Sequence, residues 1–190
     1  MLLRMRRFGL LGWLTLVVLG LGFYLTYPEL FQAERIAEQL QRYTRFVLVV
    51  YLLASVTRAI FLIPSTPFVL AGGLLLPQQP GLVLMISMTG IIISATLLYF
   101  LPTLFGISEY FERRFASSLM RIRSWLGGRW GVVLLFLWSA FPFTPTDAAC
   151  YVAGSLRIPF PKYLGAVSLG ELFICSLYIY VGTSLSGLLF

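Results

Sequence analysis

Apolar residues run along the chain in long uncharged stretches, and short charged segments separate these stretches. The first stretch, residues 8–27, holds 20 residues without a charge and follows Arg4, Arg6 and Arg7. Twenty apolar residues are enough to cross the hydrocarbon core of a bilayer and exceed the apolar part of a signal peptide. No small-residue cleavage site follows. The pattern therefore predicts a retained transmembrane helix over residues 1–27.

Residues 28–45 carry apolar side chains at helical spacing with charged side chains between them. The segment holds three Glu and three Arg. Glu38 lies four residues before Arg42, which is the better orientation for an ion pair on one helix face. The pattern predicts an amphipathic helix on the membrane surface, and a solvated connector helix is the alternative.

The remainder of the chain, residues 46–190, is a series of apolar stretches broken by proline and glycine. No charged residue lies between Arg58 and Glu109, which is too long a distance for one span. We therefore predict an all-α polytopic membrane domain. Its elements in chain order are a hairpin at 46–79, a complete span at 81–106, a surface helix at 109–126, a second hairpin at 130–158 and a final span at 163–186.

The positions of the cations predict the orientation of these elements, because cytoplasmic loops carry an excess of Lys and Arg. With the N-terminus inside, one hairpin and one span between residues 46 and 108 place the arginine-rich segment 109–129 inside. Two complete spans would place that segment outside. The same reasoning places Arg157 and Lys162 inside and the C-terminus outside. Broken hairpins require burial in protein or a cavity to line.

Composition excludes several classes of protein. Hydrophobic residues make up 59% of the chain and charged residues only 11%, against about a quarter charged in soluble domains. The chain has no histidine, which excludes Ser-His-Asp and His-based zinc sites, and its two cysteines lie in apolar stretches. We therefore predict a non-enzyme without cofactor or metal. The net charge of +7 follows membrane topology and does not indicate nucleic acid.

The two predicted hairpins share a sequence pattern. The first carries Pro-x-Thr-Pro at 64–67 and Ala-Gly-small-Leu at 71–74, and the second carries the same motifs at 142–145 and 153–156. The predicted topology makes the two hairpins enter the membrane from opposite faces. Paired broken segments in opposite orientation are typical of inverted-repeat transporters, whose site lies at the repeat interface. The alternative is that the prolines only kink ordinary helices.

Each Pro-x-Thr-Pro motif is expected to interrupt a helix and leave a helix N-terminus inside the membrane. Thr66 and Thr144 are placed to satisfy local backbone groups. A helix N-terminus has free amides and a positive dipole end, so it suits a phosphate or another anion. The candidate partners are therefore membrane lipids with anionic headgroups or a lipid phosphate.

Ionisable residues inside the membrane complete the candidate site. We expect Asp147 and Glu171 to face a shared cavity as gating or proton-carrying acids, and Arg58 to lie on the opposite side near the outer headgroups. The alternatives are an Arg58–acid pair that holds the bundle together, Arg58 snorkelling to the headgroups, and Asp147 capping a helix. The predicted lipid-path and gating residues are Arg58, Pro64, Thr66, Pro67, Gly72, Pro142, Thr144, Pro145, Asp147, Gly154 and Glu171.

The two motif regions, at 63–77 and 141–171, together with Tyr-Val-Gly at 180–182, resemble the DedA superfamily and most closely its VTT branch, the SNARE-associated Golgi protein domains. The resemblance covers roughly residues 45–185. It implies two facing re-entrant hairpins and movement of lipids between leaflets. For a bacterial member, the resemblance implies recycling of phosphorylated polyprenyl carriers or phosphatidylethanolamine. It also implies that this activity depends on the proton-motive force.

The chain departs from this family pattern before its second proline motif, where Trp138, Ser139 and Ala140 stand in place of a common Arg. This departure favours a less selective lipid path. The predicted function is a transporter or scramblase that moves phospholipid or polyprenyl-phosphate-type lipid between leaflets. The alternative is a proton-linked transporter of small ions or solutes. The expected location is the bacterial cytoplasmic membrane. The sequence allows a homo-oligomer but does not decide the oligomeric state.

Overall fold

A computed structural model describes the backbone of residues 2–43, 45–109, 120, 124, 128–142 and 144–189. All secondary structure in these residues is helical, which confirms the predicted all-α class. In chain order the elements are α1 (Leu2–Thr26), a 3₁₀ turn (Pro28–Phe31), α2 (Ala33–Gln41), α3 (Val47–Ile60), α4 (Thr66–Leu75), α5 (Pro80–Leu104), α6 (Arg129–Ala140), α7 (Thr146–Ser155) and α8 (Phe160–Leu189). The predicted surface helix at 109–126 lies almost wholly outside the described residues.

Within the described residues, three helices are long and apolar enough to cross a membrane. They are the Phe8–Thr26 part of α1, the whole of α5 and the Phe160–Val181 part of α8. The shortest of them has 19 residues, or about 29 Å at the helical rise, which matches a hydrocarbon core of about 30 Å. The chain is therefore an integral membrane protein.

Helices α3, α4, α6 and α7 form two pairs, and each pair is interrupted where a Pro-x-Thr-Pro motif is found. The longest of the four, α3, has 14 residues, or about 21 Å, so it is too short to cross the core. Proline has no amide donor and its ring clashes with a preceding helical turn. The chain accordingly leaves helical geometry at 61–65 and, among the described residues of the second break, at 141, 142, 144 and 145. In the first break Leu62 takes a left-handed conformation, with φ of 55°.

Helices α3–α5 form a first half of the membrane domain and α6–α8 form a second half. Helices α5 and α8 pack against each other at the centre. Each also packs against a short helix of its own half and one of the other half, so that α5 contacts α3 and α7, and α8 contacts α6 and α4. This exchange of short helices brings the starts of α4 and α7 to the interface between the halves.

Buried tyrosines fix the contact between the two halves. The Tyr99 hydroxyl on α5 donates a hydrogen bond to the Ile158 carbonyl at 2.5 Å, and the Tyr163 hydroxyl on α8 donates to the Ala95 carbonyl at 3.0 Å. Their rings stack with centroids 4.9 Å apart. Both hydroxyls are thus satisfied inside an apolar core, where an unpaired hydroxyl would be costly.

The segment predicted at 28–45 as one amphipathic helix divides into the 3₁₀ turn and α2. The apolar face of α2, made by Ile36, Ala37 and Leu40, is buried and the helix contacts α4. Glu38 pairs with Arg35 at 3.3 Å, not with Arg42, because the helix ends before that residue. The segment therefore covers the first proline-broken pair, with its charged face outward.

Ion pairs join three separate parts of the chain at one end of the molecule. Glu109, which follows α5, lies 3.9 Å from Arg6 in α1 and 3.5 Å from Arg157, which precedes α8. The start of α1, the end of α5 and the start of α8 therefore lie together. Helices α1 and α8 consequently run in one direction across the bundle, and α5 runs in the other.

Candidate functional site

A cavity of about 480 Å³ lies between the two proline-containing breaks. Both motifs contribute to its wall, and so do the first turns of α4 and α7. Aromatic residues of α1, the 3₁₀ turn and α8 close its other sides. The lining residues are Tyr24, Phe31, Gln32, Ala33, Leu62, Pro64, Ser65, Thr66, Pro67, Leu70, Pro142, Thr144, Pro145, Thr146, Asp147 and Tyr178.

The starts of α4 and α7 give this cavity its electrostatic character. Helix α4 begins at Thr66 and α7 begins at Thr146, and in the described part of the chain neither start has a side-chain cap. Amides in the first turn of a helix lack intrahelical acceptors and carry the positive end of the helix dipole. Two such starts on one cavity favour a negatively charged group between them.

An ion pair between Arg58 and Asp147 joins the two halves beside the cavity. The Arg58 guanidinium lies 2.5 Å from an Asp147 carboxylate oxygen, and the same Nη1 donates to the Ile63 carbonyl at 2.8 Å. Arg58 is 4% exposed. It comes from the last turn of α3, whereas Asp147 comes from the first turn of α7.

The prediction that Arg58 lies on the side opposite Asp147 is wrong, because the two side chains are in contact. Helices α3 and α7 both pack against α5, and the last turn of α3 meets the first turn of α7, where the buried guanidinium pairs with the acid. The structure instead shows the alternative of an Arg58–acid pair across the bundle. Since the pair is neutral overall, it adds polarity to the cavity without adding net charge.

The two motif threonines make different contacts. The Thr144 hydroxyl donates to the carbonyls of Trp138 and Phe141, so it satisfies local backbone groups at the break as predicted. The Thr66 hydroxyl instead lies near the Tyr178 hydroxyl of α8, and both side chains line the cavity. Thr66 therefore lies where the start of α4 meets the opposite half.

Glu171 lies in a smaller chamber beside the main cavity. This chamber, of about 20 Å³, shares Ser65, Thr66, Pro142, Thr144, Thr146 and Tyr178 with the main cavity. Glu171 is 3% exposed and its carboxylate is within hydrogen-bonding reach of Thr146 and of the Cys175 thiol. Asp147 thus lines the main cavity and Glu171 lines the chamber beside it.

The motif glycines Gly72 and Gly154 do not line either chamber. A Cβ on Gly72 would overlap the buried Tyr51 hydroxyl, which is itself hydrogen-bonded to Ser87 at 2.7 Å. A Cβ on Gly154 would overlap the backbone carbonyl of Tyr99. Both glycines therefore allow neighbouring helices to pack closely. They were predicted to line the lipid path, but in the structure they have a packing role.

Sequence reasoning missed Tyr178 and Ser139, which line the chambers. Tyr178 lies seven residues after Glu171, so helical periodicity places both on one face of α8 and could have found it. Ser139 precedes the second proline motif by three residues, and the one signal for it is that it stands among the three residues that take the place of the family's common Arg.

Comparison with known proteins gives one family match. The family model described as the VTT domain matches residues 63–184, which include both proline motifs, α4, α5, α6, α7 and most of α8. No curated protein and no solved structure matches the chain.

Proposed function

The chain belongs to the VTT domain family, the domain of the DedA and SNARE-associated Golgi proteins, and on that premise we propose that it moves lipids between membrane leaflets. The substrate would be phospholipid or a polyprenyl-phosphate-type lipid, and the chain would act as a transporter or scramblase without enzymatic chemistry. The observation that carries this proposal is the cavity between the two proline breaks, onto which two helix starts open.

The dimensions of the cavity suit a lipid headgroup. Its volume of about 480 Å³ falls within the range of about 300–1,000 Å³ typical of small-molecule sites. A phosphate would lie at the starts of α4 and α7, with the hydroxyls of Thr66, Thr144 and Thr146 as further polar contacts. The acyl chains would remain in the bilayer, because only the headgroup must be screened from hydrocarbon.

We propose that the two broken pairs are re-entrant hairpins of an inverted repeat. Three observations support this proposal. The four helices are too short to cross the core, each central span packs on a short helix of the opposite half, and Arg6, Glu109 and Arg157 share one end of the molecule. A chain that begins and ends each broken pair on the same side satisfies all three.

The expected topology places the end with Arg6, Glu109 and Arg157 in the cytoplasm and the C-terminus outside, in a bacterial inner membrane. In a C150A/C175A background, single cysteines at Gln39 and Leu188 should react with a membrane-impermeant maleimide in intact cells. A cysteine at Ser124 should react only after permeabilisation. Reaction of position 124 in intact cells would contradict the two-hairpin topology.

Lipid transfer can be measured in proteoliposomes with fluorescent lipids and dithionite, using a panel of headgroups. P64A/P67A and P142A/P145A should each reduce the transfer rate to that of protein-free liposomes, because continuous helices would remove the helix starts from the cavity. Insertion should persist, since apolar content hardly changes. Pro161→Ala is the matched control, because Pro161 is an exposed residue in the first turn of α8, and it should keep the parental rate. Parental rates in both double variants would contradict the hairpin mechanism.

A second candidate function, proton-linked transport of small ions or solutes, is favoured by the burial of Glu171. A carboxylate deep in a membrane protein is costly and usually functional. The two functions separate in the same proteoliposomes. Solute flux without lipid transfer supports ion or solute transport, and lipid transfer without solute flux supports the lipid path.

A further inference from the structure

A second large cavity, of about 490 Å³, lies between α1 and the pair formed by α3 and α4. Eight of its ten described lining residues are apolar, and four of them are phenylalanines. Leu19 and Phe23 of α1 form one edge and are 64% and 48% exposed, so the cavity opens toward the hydrocarbon around α1. This lateral groove therefore offers an apolar surface to a hydrocarbon chain.

The lateral groove adjoins the main cavity at the first proline-containing break. Consecutive residues of the break alternate between the two spaces. Phe61 and Ile63 line the groove, and Leu62 and Pro64 line the main cavity. Phe31 lines both, so the two spaces meet at this ring. A molecule with one polar and one apolar end can therefore occupy both at once.

The ion pair between the two halves lies at the same junction. Arg58 lines the lateral groove, and Asp147 lines the main cavity. The two side chains are 2.5 Å apart, so a single ion pair separates the groove from the polar part of the cavity. A headgroup at the starts of α4 and α7 would therefore have its hydrocarbon chain beside the groove.

The groove is narrow where α1 meets the end of α3. A Cβ added to Gly20 would lie 2.6 Å from the Phe61 ring, so the missing side chain of Gly20 allows this close approach. A narrow apolar space suits an unbranched acyl chain better than a methyl-branched prenyl chain.

The walls of the groove alone do not select one lipid over another. Between lipid chains and an apolar protein surface there is no hydrophobic driving force, because both are equally apolar. Selection must therefore come from the headgroup. The two helix starts on the main cavity favour a negatively charged one.

We propose that the lateral groove binds one acyl chain of an anionic glycerophospholipid whose phosphate lies in the main cavity. Both acyl chains stay in the hydrocarbon region, and one of them is seated in the groove. The gap between α1 and α3 is then the route by which the lipid reaches the cavity from the bilayer. The proposal rests on the proposed function for the place of the headgroup, and it names the class of substrate.

The test uses the full chain in phosphatidylcholine nanodiscs that contain phosphatidylglycerol with a diazirine on one acyl chain. After photolysis, mass spectrometry locates the attached lipid. Label at Phe23 and Phe61 should saturate as the fraction of probe rises. Unlabelled phosphatidylglycerol should displace it, whereas the same amount of additional phosphatidylcholine should not. Label at Leu53, which is exposed on α3 outside the groove, should rise in proportion to the probe.

Thr57→Trp fills the groove from α3 and should remove the saturable label at Phe61. Leu53→Trp is the matched control, because Leu53 is 59% exposed on the same helix but lies outside the groove, and it should keep the parental label at Phe61. Leu19→Trp fills the groove from α1 and decides the question if Thr57→Trp fails to fold.

Label at Phe61 that rises without saturation, or equal displacement by phosphatidylcholine, would overturn the proposal. Stronger displacement by a polyprenyl phosphate than by phosphatidylglycerol would overturn the assignment to an acyl chain. Because the labelling requires no lipid transfer, its failure beside a normal transfer rate leaves the proposed function standing. Saturable, displaceable label without any lipid transfer would overturn the proposed function alone.

Discussion

Asp147→Asn is expected to lower the free energy of unfolding by about 3–5 kcal/mol, because it leaves the Arg58 guanidinium buried without its anion. Arg58→Met should have an effect of similar size by leaving the acid unpaired. Arg58 is 4% exposed, and its other acceptor among the described residues, the Ile63 carbonyl, does not carry a compensating charge. Thermal unfolding of the purified chain in nanodiscs measures both variants.

The double variant R58M/D147L should recover most of that stability, since a buried ion pair can often be replaced by apolar residues at little cost. The cycle of single and double variants then isolates the coupling energy. Glu38→Gln is the control, because the Arg35–Glu38 pair is exposed and its loss should cost less than about 1 kcal/mol. Single variants as stable as Glu38→Gln would contradict the buried pair.

The same double variant separates a structural role of the pair from a role in the lipid path. Asp147 lines the main cavity at the start of α7, where an apolar side chain would remove a polar contact for a headgroup. We therefore expect R58M/D147L to recover its stability but not to transfer lipid. Recovery of the parental transfer rate would show that the pair only holds the two halves together.

The helices and their breaks could be predicted from the sequence because they depend on local properties. Twenty apolar residues define a span, and the two Pro-x-Thr-Pro motifs coincide with helix breaks, although the single Pro102 lies inside α5. Even the meeting of Arg6, Glu109 and Arg157 at one end agrees with the distribution of cations along the chain. These are one-dimensional signals, and each depends on a few neighbouring residues.

The pairing of Arg58 with Asp147 could not be predicted in the same way. The two residues lie 89 positions apart and meet only because α7 packs against the α5 of the other half. That packing depends on side-chain shape along two helices, which leaves no periodic pattern in the sequence. A charged residue in an apolar stretch therefore indicates that a partner is needed without indicating which residue it is.

The motif glycines show a second limit of sequence reasoning. Glycine serves equally where a backbone lines a path and where two helices touch, and the letters Ala-Gly-small-Leu are the same in both cases. Only the positions of neighbouring atoms distinguish these roles. Gly72 is closest to the Tyr51 side chain, whereas Gly154 is closest to the Tyr99 backbone.

Gly154→Ala is expected to destabilise the fold by about 1–3 kcal/mol or more, because its new methyl group would overlap a backbone carbonyl. The carbonyl of Tyr99 belongs to α5 and cannot rotate away as a side chain can. Helices α5 and α7 must therefore separate, which would also shift Asp147 and the start of α7 at the cavity. Lipid transfer should fall together with the melting temperature.

Gly165→Ala provides the matched control, because a Cβ added there meets no described atom within 4 Å. Alanine is the better helix former by about 1 kcal/mol, so this variant should be as stable as the parent or slightly more stable. Gly72→Ala should lie between the two, since the Tyr51 side chain can shift only by breaking its bond to Ser87. If Gly154→Ala melts at the same temperature as Gly165→Ala, then α5 and α7 do not make the close contact that positions Asp147 at the cavity, and the start of α7 must be held there by other contacts.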